Sequence, residues 1–141
     1  MATWQRTIEI DAKPDRVWEI MSDVEKWPEW TPSVISVERT NGAMGPGASA
    51  VVHPRGTPKS TWRVTEWRPG RSFTWETKVR GARTIGGHVV EPIGEDRSRV
   101  TLSIEVQGFV AALARPFLNK GIEENLEAES EGLKRRSETG G

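Results

Sequence analysis

His53 and His88 are the only side chains in this sequence whose ordinary pKa lies near neutrality, so proton transfer at neutral pH would fall first to them. His88 alternates with Val90 in a strand-like run over residues 82–91 and therefore faces the apolar side, where an imidazole can orient a carbonyl or exchange a proton with a ligand. The same position equally suits a buried histidine satisfied by a neighbouring backbone or side-chain group. His53 precedes Pro54 at a strand end and is expected at the surface. Two isolated histidines without the i, i+4 spacing of a metal-binding helix make no metal site. The absence of cysteine excludes disulfides, thiolate zinc ligands and a cysteine nucleophile. No G-x-S-x-G elbow presents a serine. Glu66, Glu76 and Glu105 lie opposite the apolar side of their strands and read as solvated. Asn125 and Glu129 stand one turn apart beside a helical apolar stripe, placed either to offer polar atoms to a cavity or to form a solvated flank.

Composition narrows the partners. The 20 basic and 20 acidic residues cancel, and no basic run tracks a phosphate backbone, so nucleic acid is not an expected partner. The N-terminus lacks the apolar core of a signal peptide, and the longest apolar stretch, Phe109 to Ala114, is too short to span a bilayer. A cytoplasmic protein with no integral membrane segment and no cofactor is expected, as a monomer or weak dimer. At 141 residues the chain suits a single domain over 1–141 that can bury its own core. Seven tryptophans beside no tyrosine and three phenylalanines suit either an aromatic core or a ligand cavity.

The elements that would position these residues follow from periodicity. A leading strand, Thr3 to Ile10, precedes a helix begun by Pro14, with Val17, Trp18, Ile20 and Met21 at helical spacing. Ser22-Asp-Val-Glu25 reads as a capping box for a second short helix, which Pro28 should stop. Strands are expected over 33–39, 48–53, 60–67, 72–79, 82–91 and 99–107. In 72–79, Phe73, Trp75 and Val79 share a face with Thr77; in 99–107, Val100, Leu102, Ile104 and Val106 do. Arg68-Pro-Gly-Arg71 has the proline and glycine of a type II turn. Gly86-Gly87 interrupts its strand and most simply marks a bulge, otherwise a bend or a close approach to the backbone. From about Pro116 the period becomes 3.6, with Leu118, Ile122, Leu126 and Leu133 on one stripe of a long helix reaching about Arg136. Phe109 to Arg115 suits a short preliminary helix or a packed loop, and residues 137–141 a flexible tail.

One strand, two small helices, six strands and a long helix is the order of the helix-grip fold. The stretches IEIDAKPDRVWEIMSDVEKWPEW (8–30), WRVTEWRPGRSFTWE (62–76), HVVEP (88–92), RVTLSIE (99–105) and EGLKRRSE (131–138) resemble the START-like superfamily, in its polyketide cyclase/dehydrase and lipid transport branch. The resemblance implies an α+β, Bet v 1-like fold, with a seven-stranded antiparallel curved sheet wrapped around the C-terminal helix. It implies a cavity between sheet and helix where relatives hold lipids, sterols, quinones or polyketides. On that footing Trp62, Phe73 and Trp75 are expected in the cavity wall, with Val90, Leu102 and Ile122, and with His88, Asn125 and Glu129 as polar groups. Trp27 and Trp30 are placed at its mouth or closing the barrel end, and Trp18 in the core. The expected function is binding of a small hydrophobic or amphipathic ligand. The alternatives are a cyclase or dehydratase using His88 with an arginine, and a protein-interaction module docking through exposed tryptophans. Lacking tyrosine, the chain cannot run a mechanism that needs a phenol.

Overall fold

The computed structural model describes residues 2–79 and 81–139. Seven strands, β1 (Ala2–Ile10), β2 (Val34–Arg39), β3 (Ser49–Pro54), β4 (Ser60–Arg68), β5 (Ser72–Val79), β6 (Ala82–Gly94) and β7 (Arg97–Gln107), form one antiparallel sheet ordered β1-β7-β6-β5-β4-β3-β2. The first two strands are thus its opposite edges. The chain crosses between them through α1 (Pro14–Ser22) and a 3-10 helix (Val24–Glu29), and α2 (Phe109–Thr139) returns across the curled sheet. This is the α+β helix-grip arrangement that the sequence resembles.

Local chemistry accounts for most junctions. Gly70 takes φ +77° in the Arg68–Arg71 turn, closed by the Arg71 N–H donating to the Arg68 carbonyl at 2.9 Å, as a type II turn requires. Gly108, at φ +124°, turns β7 into α2 so close to the β5–β6 connection that a Cβ would lie 2.9 Å from the Gly81 carbonyl oxygen.

Several expectations are corrected. The capping box does not form: Asp23 precedes the 3-10 helix without a side-chain cap, and the Glu25 carboxylate instead accepts from the Arg39 backbone N–H (3.0 Å) and Nε (2.9 Å) on β2. Those bonds, the backbone one foremost, hold the Glu25 carboxyl below its ordinary range. Pro28 lies inside the 3-10 helix and does not end it. Gly86-Gly87 is not a bulge, since pairing with β5 and β7 runs unbroken through both; the register shifts fall at Val34/Ser36, Val64/Glu66 and Pro92/Gly94. Val79 is exposed, because its strand outruns the covered part of the sheet. One helix begins at Phe109, with Pro116 inside it, and runs to Thr139. Ser137, Glu138 and Thr139 of the expected tail are therefore helical, Ser137 being buried, while Gly140 and Gly141 lie outside the described residues.

The core lies on the concave face and is divided lengthwise. At one end α1 covers the sheet, where Val17, Met21, Phe73, Val90, Val100 and Leu133 are sealed at 1% exposure or less. Burial of each such side chain contributes roughly 1.5–3 kcal/mol. The other end is roofed by the N-terminal part of α2 and keeps open space.

Candidate functional site

That open space is a cavity of about 450 Å³. Its walls come from every layer: Trp27 of the 3-10 helix, Val34, Val52, Trp62 and Trp75 of β2 to β5, Thr84, Gly86 and His88 of β6, Leu102, Ile104 and Val106 of β7, and Ala114, Leu118, Ile122, Asn125, Leu126 and Glu129 of α2. The stripe of α2 meets inward-facing strand residues, so the wall is predominantly apolar.

Strand register sets the aromatic wall. Trp75 pairs with Val64 on β4 and with Gly86 on β6, and a Cβ at Gly86 would stand 3.1 Å from the Trp75 indole. The first glycine thus makes room for an indole lying across the neighbouring strand, which is the close approach that Gly86-Gly87 encodes. A Cβ at Gly87 would collide with the Ser103 hydroxyl on β7. Trp62 and Trp75 pack at 5.6 Å between ring centroids, and Trp27 meets Trp75 edge-on at 5.3 Å. Trp27 is fixed by its own N–H, which donates to the Met21 carbonyl at 3.0 Å.

His88 pairs with Phe73 and stacks on its ring, at 4.1 Å between centroids and 11° between planes. Its Nδ1 lies 3.2 Å from the Phe73 carbonyl oxygen. A carbonyl only accepts, so Nδ1 carries the proton and Nε2 is left as an acceptor. Burial lowers the His88 pKa to about 4, the Phe73 carbonyl opposing this in part, and the ring is neutral at neutral pH.

Glu129 is the other titratable group in the wall. Its carboxyl has no hydrogen-bond or ion-pair partner among the described residues, keeps surface only in part, and is pushed up to about 7 by burial. Asn125, one turn earlier, lines the same space. The Trp62 indole N–H is buried without a partner. Burying a donor without a partner costs about 1–3 kcal/mol, and Trp30 Nε1 and Ser137 Oγ, outside the cavity wall, are unpartnered in the same way.

The structure therefore brings Trp27, Trp62, Trp75, His88, Leu102, Ile122, Asn125 and Glu129 around one cavity. It does not bring Trp30, Phe73 and Val90 there. Phe73 and Val90 share the concave face but lie at the end that α1 covers, fully enclosed, with Trp18 against Phe73 at 6.2 Å. Trp30 packs instead on α2, where its carbonyl oxygen occupies the space a Cβ at Gly132 would need. Sequence reasoning passed over Thr84, Ile104, Val106, Leu118 and Leu126 as wall residues, although the alternation that selects Leu102 and the stripe that selects Ile122 run through the last four. His53 is half-buried at the end of β3, outside the wall. No arginine lines the cavity among the described residues, so the cation expected beside His88 is not found there. The seven tryptophans are all buried or half-buried, which removes the exposed indoles that an interaction module would use.

Among the described residues no helix is long and apolar enough to cross a membrane. No curated protein matches the sequence. Solved structures do match its fold. The ZhuI aromatase/cyclase from Streptomyces sp. R1128 is similar at 20% identity and a TM-score of 0.76, over 99% of this chain and 98% of that one. A START superfamily protein from Mycobacterium smegmatis is similar at 19% identity and TM-score 0.72, over 96% of each chain. Norcoclaurine synthase from Thalictrum flavum, solved with dopamine and hydroxybenzaldehyde, is similar at 15% identity and TM-score 0.73, over 95% of this chain and 84% of that one. A family model described as polyketide cyclase / dehydrase and lipid transport matches residues 1–138, and the chain belongs to that family.

Proposed function

We propose that this protein binds a small hydrophobic or amphipathic ligand, lipid-, quinone- or polyketide-like, between the sheet and α2. One observation carries the reading: a predominantly apolar cavity of about 450 Å³ between the sheet and α2, with Trp27, Trp62 and Trp75 in its wall beside the polar groups of His88, Asn125 and Glu129. Small-molecule sites commonly combine such a volume with a few polar groups that orient the ligand. Family membership supports the same reading.

The test is calorimetric titration with 2-naphthol and with naphthalene. Trp62→Ala removes an indole from the wall, so it should weaken both probes by about tenfold, about 1.4 kcal/mol. Trp75→Ala should weaken both, whereas Trp18→Ala, outside the cavity, should lower stability alone. No binding of either probe, or equal binding by all variants, would contradict the reading.

The second reading, a cyclase or dehydratase, is favoured by the unprotonated Nε2 of His88 in a wall that could hold a polyketide. His88→Gln would then cut turnover of an aromatic polyketide-like ketone by about 10² or more while binding stays within tenfold. A pKa of about 4 makes this imidazole a weak base at neutral pH, which supports binding over catalysis.

A further inference from the structure

The cavity has a charge character that apolar surface alone does not give. Among the described residues Glu129 is the one acid that lines it, and no lysine or arginine does. The other titratable group is His88 on β6, a neutral acceptor; β2, β3, β4, β5, β7 and the 3-10 helix contribute none. Asn125 adds an amide oxygen one turn from Glu129, and Trp27, Trp62 and Trp75 add the electron-rich faces of three indoles. The Ser33, Thr57, Thr84 and Ser103 hydroxyls and the Asn125 amide both donate and accept, so what sets the wall's character among the described residues is an acid with no cation beside it. A carboxylate ligand would bring a second anion beside Glu129, whereas an ammonium would complete an ion pair there, in a cavity whose aromatic wall favours a cation over an anion.

From this juxtaposition we infer that the ligand is an amine, an apolar body bearing one protonated nitrogen held by Glu129 with Asn125 beside it. The inference rests on the ligand-binding reading above and names its ligand class. Glu129 titrates near pH 7, so a rise from about pH 6 to about pH 8 ionises it. A simple alkylamine, with a pKa near that of lysine at about 10.4, stays protonated over the same interval. Amine affinity therefore rises with pH, and binding near neutrality releases a proton from Glu129.

Three compounds with one apolar body separate the charges: 2-(naphthalen-2-yl)ethylamine, 2-(naphthalen-2-yl)ethanol and naphthalene-2-acetate, each titrated calorimetrically into the intact protein. At about pH 8 the amine should bind about tenfold or more tighter than the alcohol, and the carboxylate weakest. The amine-to-alcohol ratio should shrink toward one at about pH 5.5, and in Glu129→Gln at either pH. Should that variant fail to fold, the pH dependence in the unaltered protein decides by itself. Alcohol binding as tight as amine binding at pH 8, or a carboxylate that binds best, would overturn the amine assignment and leave the cavity reading standing. No heat with any of the three would overturn both.

Discussion

The two halves of α2 are held by different means. From Leu126 onward the helix is clamped: Leu126 and Leu133 are buried, Gly132 sits against the Trp30 carbonyl, Arg136 pairs with Glu29 at 2.7 Å, and Lys134 donates to the Glu9 carbonyl at 3.0 Å. From Leu113 to Ile122 the same helix presents half-buried Ala114, Leu118 and Ile122 to the cavity, and Phe117 and Leu113 stand 86% and 67% exposed. One segment builds the core and the other roofs a space. Leu126 and Glu129 stand at the junction and line the cavity, so only the stretch around Gly132 and Leu133 serves stability alone, and substitutions there can be separated from binding.

The largest effect should come from the clamped half. Leu133→Ala is expected to cost about 2–5 kcal/mol, read as a fall in the denaturation midpoint, because its surroundings leave nothing to fill the void. Gly132→Ala should cost about 1–3 kcal/mol, since the Trp30 backbone must move to admit a methyl group. A midpoint unchanged by both would refute the clamp. In the roofing half, Phe117→Ser should shift stability by only about 0.5 kcal/mol in either direction. A large loss there would erase the contrast between the halves.

Glu129 sharpens the comparison through pH. Its pKa is raised in the folded state, so the folded protein binds the extra proton between about 4.5 and about 7 and loses stability as pH rises across that window. Glu129→Gln should therefore melt higher than the parent at pH 8, with the gap closing by pH 5. His88 runs the other way: its folded pKa is lowered, so its contribution is present above about 6.5 and is lost as pH falls toward about 4. His88→Gln should flatten the acid side of the stability profile, and an unchanged acid limb would show that the ring is not buried neutral.

Alternation and helical period made the strands, the long helix and the inward face of β7 legible, since each buries one face along its length. Depth along that face was not legible. Phe73 and Val90 have the parity of wall residues, yet α1 folds over their end of the sheet, and only the tertiary arrangement separates core from cavity. Ser22-Asp-Val-Glu25 matched a local pattern, but Arg39, distant in sequence, competes for the same carboxylate. Gly86-Gly87 was ambiguous for a related reason, because the indole it accommodates comes from the adjacent strand. Asn125 and Glu129 could be placed beside the stripe but not given a side, as a helix flank faces solvent or cavity depending on how the helix is rolled.

Pro116 lies in the roofing half and supplies no N–H to the helical ladder, leaving a carbonyl one turn earlier without its usual partner. In hydrogen exchange, the amides around Pro116 should accordingly open in small local excursions, while those around Leu133 should exchange only when the whole molecule unfolds. Entry to the cavity would then follow the local rate. A substitution that slows global unfolding would leave ligand uptake as fast as before.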